Sequence, residues 1–171
     1  NMATKTVDME ITAGTGTTGI TMADGKIYAT NSGFNPDYSY SPGTVTVING
    51  ATGAVVTTID VELNPQAAAT DPDGLVHVVC TGDWWSTFGK VAVINPATDT
   101  VVETVMTAGT PGSIAISEND GIAYLGVWGA GLLSYNWETY AMVNDTSDYF
   151  WGFGGSGVTC DTEGHVFISI W

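Results

Sequence analysis

Two short stretches of this chain concentrate ring side chains that a connecting loop has no need of. SGFNPDYSYSPG holds Phe34, Tyr38 and Tyr40, and GDWWSTFG holds Trp84, Trp85 and Phe88. Trp128 stands in VWGAG, Tyr149, Phe150, Trp151 and Phe153 in DYFWGF, and Trp171 at the last position. Flat aromatic faces stack on sugar rings and other planar apolar groups, and Asn31, Asn35, Asp37 and Asp83 are placed to supply orienting hydrogen bonds. The same rings would also serve to pack one structural unit on the next, since aromatic side chains dominate core energetics too. Trp84, Trp85 and Trp151 are the strongest candidates for ligand contact.

Other chemistry is thin. Asp24, Asp71, Asp73, Asp120 and Glu163 fall in Asp-Gly or Glu-Gly contexts, where carboxylates two apart can share a hard cation such as calcium. Asp-Gly is also ordinary hairpin chemistry, with glycine supplying positive φ and aspartate bonding its own backbone, and the EF-hand spacing is absent. These are read as turns. Asp37 is the one weak metal candidate, and no cofactor is expected beyond a calcium ion there. His77 and His165 stand three and one residues after their turn glycines, so they form no ligand ring and read as hydrogen-bonded structural residues. No G-x-S-x-G elbow occurs, and the glycine runs GTGTTG and GFGGSG precede no helical pattern. The expectation is a protein that binds rather than catalyses.

Charge narrows the partner. Lys5, Lys26 and Lys90 are the only basic side chains, arginine is absent, and the formal net charge is −15. Nucleic-acid binding needs cations that neutralise phosphates, so that class is excluded, as is attraction to an anionic membrane surface. The partners left are a glycan, a small planar ligand or a surface protein. An acidic, soluble surface fits an extracellular or cell-surface setting. No apolar run approaches the roughly 20 residues that span a bilayer, and NMATKTVDMEI reads as a strand rather than a signal peptide. Cys80 and Cys160 fall on strands of different repeat units, so two free thiols are expected.

The elements that must position these residues repeat. Gly25, Gly74, Gly121 and Gly164 each follow an acidic residue, at spacings of 49, 47 and 43. That is near the period of a four-stranded propeller blade, about 40 to 50 residues. Each unit reads as a small-residue strand, a turn, an alternating strand, a loop, a strand ending in its own turn, and a fourth apolar strand. The fold expected is an all-β propeller of four-stranded antiparallel blades at 14–61, 62–107 and 108–151. Partial blades at 1–13 and 152–171 flank them. TKTVDMEI at 4–11 matches the outer strands AVVTTIDV and TVVETVMT, and GSGVTCDTEGHVFISIW matches the first two strands of a unit. Two explanations stand: part of a larger ring, or closure through the chain itself or through a second copy. In either, loops between second and third strands open on the same face as the links between blades. The aromatic residues therefore gather on one rim.

GKIYATN, GTVTVINGATGAVVTTIDVELNPQAAATDPDG and GKVAVINPATDTVVETVMTAGTPGSIAIS resemble the YVTN family of β-propeller repeats, with Tyr28-Ala29-Thr30-Asn31 as the signature strand. The second and third units depart from it, with Val78-Val79-Cys80-Thr81 and Tyr124-Leu125-Gly126-Val127 at that place. The resemblance implies a bacterial or archaeal secreted or surface-layer propeller, often of seven blades. It also admits two other roles. One is a structural surface-layer scaffold. The other is a metal-dependent lyase or lactonase, which needs inward His or Glu residues that the inner strands GITM, QAAAT, GSIAIS and SGVTC lack.

Overall fold

The computed structural model describes residues 3–148 and 154–169, and every regular element among them is a β-strand. β1 (Thr17–Ala23), β2 (Lys26–Asn31), β3 (Thr44–Asn49) and β4 (Val55–Asp60) pair in that order as one antiparallel sheet. β5 (Pro65–Thr70), β6 (Val76–Cys80), β7 (Lys90–Asn95) and β8 (Thr100–Met106) make a second. The third is β9 (Thr110–Ser117), β10 (Ile122–Trp128), β11 (Gly131–Asn136) and β12 (Met142–Asn144). β13 (Gly157–Cys160) and β14 (Val166–Ser169) form a hairpin. The first strands lie side by side in succession, β1 on β5, β5 on β9 and β9 on β13. They are the inner edges of blades set around an axis.

Local chemistry explains the strands and their turns. Asp24 and Gly25 both take positive φ, 48° and 70°, the requirement of a two-residue hairpin turn whose twist matches the strands. At the end of each third strand an asparagine closes the next turn. Asn49 Oδ1 accepts the N–H groups of Ala51 and Thr52, Asn95 Oδ1 that of Ala97, and Asn136 Oδ1 those of Glu138 and Thr139. The aspartates of the first turns act alike: Asp71 Oδ1 accepts Leu75 N–H, Asp120 Oδ1 accepts Ile122 N–H, and Asp161 Oδ1 accepts Glu163 and His165 N–H. Their turn reading stands.

The core lies between blades. Tyr28, Val45 and Val47 of the first sheet meet Val76, Val78 and Ile94 of the second. Val79, Val91 and Val93 on the far side of the second sheet meet Leu125, Leu133 and Tyr135 of the third. The middle sheet is thus covered on both faces, which is why β6 reads as the near-continuous apolar run VHVVC. Each large side chain buried this way contributes about 1.5–3 kcal/mol. Cys80 is buried and Cys160 half-buried, and both are free thiols.

Two expectations fail. Residues 4–11 form turn and extended chain instead of an outer strand, with Met9 and Ile11 placed against Gly53 beside the first blade. Their period-two pattern is that of a strand, but they join none of the sheets among the described residues. The fourth strand of the third blade is also shorter than TYAMVND, because Tyr140, at φ 61°, belongs to the turn and leaves Met142–Asn144. The expected blade limits 14–61, 62–107 and 108–151 otherwise enclose the three sheets, and 152–171 encloses the hairpin.

Candidate functional site

The β2–β3 loop (32–43) and the β6–β7 loop (81–89) leave their blades in the same way. Ser32 N–H donates to the Gly16 carbonyl and Thr81 N–H to that of Asn64, while Gly33 and Gly82 donate to Thr15 and Leu63. Each loop is therefore fixed to the segment entering its own blade. Gly33 (φ 69°) and Gly82 (φ 85°) sit where the outgoing arm passes the returning one, and a Cβ there would strike the carbonyls of Ser41 and Thr87.

Inside each loop an aspartate ties the backbone. Asp83 Oδ1 accepts the N–H groups of Trp85, Ser86 and Thr87 at 3.0, 2.8 and 2.7 Å, and Oδ2 accepts the Ser86 hydroxyl at 2.6 Å. The Ser86 hydroxyl first, then those N–H groups, hold its carboxyl well below the usual carboxylate range. Asp37 Oδ1 likewise accepts the Ser39 hydroxyl (2.6 Å) and N–H (3.1 Å), which lowers its pKa. Asn35 Nδ2 donates to Ser39 Oγ and Ser41 Oγ. The polar residues of both loops are thereby engaged in shaping them.

What they shape is an aromatic cleft of about 500 Å³ lined by Phe34, Tyr38, Tyr40, Trp84 and Trp85. Ser39, Leu63 and Asp83 complete its wall. Trp84 Nε1 donates to the Tyr40 hydroxyl at 3.3 Å, joining the two loops. Phe34 and Tyr40 have ring centroids 5.4 Å apart, and Trp84 meets Trp128 of the third blade edge-on at 6.4 Å. Tyr38 (φ 67°) and Trp84 (φ 73°) hold the left-handed region, a conformation costing on the order of 1–3 kcal/mol for a non-glycine residue. Tyr38 is 83% exposed and Trp85 88%.

Of the loops expected on one rim, the first two build the cleft together, and Trp128 of the third backs it through Trp84. Phe88 and Asn35 belong to the same loops but stand outside the lining. Trp151, with Tyr149, Phe150, Phe153 and Trp171, lies outside the described residues. Ser39 and Leu63 were not foreseen. The signal for Leu63 was its place in the link between blades, on the same face as the loops.

Asp37 belongs to no group at metal-ligand spacing among the described residues. Among the described residues the one group at ligand spacing is Asp161, Glu163 and His165, all exposed, with His165 Nδ1 2.9 Å from Asp161 Oδ2. His77 is a structural residue, as expected, but in an unforeseen network: Nε2 lies 2.9 Å from Asp71 Oδ2 and Nδ1 2.7 Å from the Tyr135 hydroxyl, all fully enclosed between the second and third blades. Burial, then the Asp71 charge, raises the Tyr135 pKa well above its ordinary value.

The whole arrangement of radiating four-stranded sheets has a solved counterpart. Hydrazine synthase from Kuenenia stuttgartiensis superposes with a TM-score of 0.70 over 94% of this chain at 18% identity. The fold is a β-propeller. The chain spans 43% of that protein's length, and at this identity the likeness carries fold alone. No protein-family model matches the sequence, and no curated protein matches it.

Proposed function

We propose that this protein is a non-enzymatic binding module of the cell exterior, a YVTN-type propeller whose ligand, a glycan or a planar small molecule, lies in the cleft between the 32–43 and 81–89 loops. One observation carries the reading. Tyr38 and Trp85 project into solvent from loops that are closed by hydrogen bonds and held in left-handed conformations at Tyr38 and Trp84. Rings meant for packing between blades would be buried as Tyr28 and Tyr135 are, at no cost in backbone strain. Here strain is spent to hold rings outward, which is the pattern of a preformed recognition surface.

The test is a titration of the intact protein with oligosaccharides and planar heterocycles, read by tryptophan fluorescence. Trp85→Ala and Tyr38→Ala are expected to abolish the response while moving Tm by no more than about 2 °C, since both side chains are exposed. A loss of stability with retained binding would reverse the assignment.

An assembly role is favoured by a separate observation. The residue three after each turn glycine is Tyr28, His77, Tyr124 and Phe167. Tyr28 and His77 are wholly buried against the following blade, whereas Phe167 is 56% exposed. On the first blade, Thr21 bonds Thr70 of the second, so Ile20 and Met22 alternate to the outer face and are exposed. The two outermost described faces thus repeat the chemistry of the internal interfaces, and we assign them to further blades, supplied by a second copy of the chain or by the remainder of a larger ring.

A further inference from the structure

We infer that the aromatic cleft selects an organic cation, of the quaternary or methylated ammonium class, over neutral ligands. This rests on reading the cleft as a ligand site and names what enters it. Five ring side chains, Phe34, Tyr38, Tyr40, Trp84 and Trp85, line the cleft, and no lysine is among its residues. The negative face of each ring attracts a cation placed over it, and several rings converging on one space are the means by which proteins hold an ammonium that has no N–H to donate.

Charge acts in the same direction. The wall carries one ionised side chain, Asp83, whose carboxylate is fixed by four donors from its own loop. Those bonds hold it in place as a negative charge, so it acts on a ligand through its field. Two of the chain's three lysines are neutralised locally: Lys90 Nζ lies 2.8 Å from Glu62 Oε2 and Lys26 Nζ 2.8 Å from Asp99 Oδ2. With a net charge of −15, the surrounding potential draws cations toward the cleft.

A neutral sugar finds less here. Trp84 Nε1 is given to Tyr40, the Ser39 hydroxyl to Asp37, and Asp83 to its loop, so few of the polar groups in the wall are left to read a pattern of hydroxyls. A methylated ammonium asks for ring faces and a nearby negative charge. The cleft brings five rings and one carboxylate together.

The experiment compares choline with its uncharged isostere 3,3-dimethylbutan-1-ol and with cellopentaose, each titrated into the full chain and followed by tryptophan fluorescence. Choline is expected to bind at least about tenfold more tightly than the isostere, with affinity falling as salt is raised. Trp85→Ala should remove choline binding. Equal affinity for choline and isostere, or stronger binding of cellopentaose, overturns the cation assignment and leaves the cleft as a ligand site. If none of the three probes perturbs the tryptophans, the ligand-site reading falls with it.

Discussion

His77 shows how a polar residue becomes an asset between two apolar sheets. Its ring is wholly buried, yet both nitrogens have partners, Asp71 on one side and the Tyr135 hydroxyl on the other. An enclosed polar atom without a partner costs about 1–3 kcal/mol, so the network is worth most through what its loss would leave behind. Tyr135→Phe removes one oxygen and orphans His77 Nδ1. It is expected to lower unfolding stability by about 1–3 kcal/mol in urea, with the m-value unchanged. The sequence marked His77 as structural but could not supply its partners, because Tyr135 lies 58 residues on and in another blade. Periodicity places a residue on a face; it does not say what the opposing face presents.

At the scale of elements, the strands were legible because each blade repeats the same grammar: an acidic residue and glycine at the first turn, β-branched runs, and Asn49, Asn95 and Asn136 closing the third-to-fourth turn. The aromatic loops were legible as loops, and their shared rim followed from strand direction alone. Their inner architecture was not, since the readings of Asp83 and Asp37 as ligand or metal contacts took no account of the backbone N–H groups that a tight loop must satisfy. Asp83 makes this testable by pH. Its folded pKa is depressed, so its contribution is complete above the unfolded value of about 3.9 and is lost as pH falls through the lower folded value. The Tm difference between the protein and Asp83→Asn should therefore be constant from pH 7 to about 5 and shrink on acidification below about 4. A difference that is unchanged down to pH 2 would show that the carboxylate charge does not hold the 81–89 loop.

For the whole molecule, the strand expected at residues 4–11 does not form, and among the described residues the first sheet and the β13–β14 hairpin each leave one face without a neighbouring sheet. Phe167 on one, and Ile20 and Met22 on the other, occupy sites whose equivalents inside the arc are covered by a neighbouring sheet. Head-to-tail union of two copies buries both at once, but it must overcome the mutual repulsion of two chains that each carry −15. Association should therefore strengthen with salt, because screening removes the repulsion while apolar burial remains. Light scattering at rising protein concentration is expected to give a mass approaching twice 17.8 kDa in 0.5 M sodium chloride, and less at low ionic strength. Phe167→Asp, which adds a charge to the face without touching the internal cores, should hold the protein at 17.8 kDa in both conditions. A wild-type mass that stays at the single-chain value across concentration and salt would remove the second copy as the occupant of these faces.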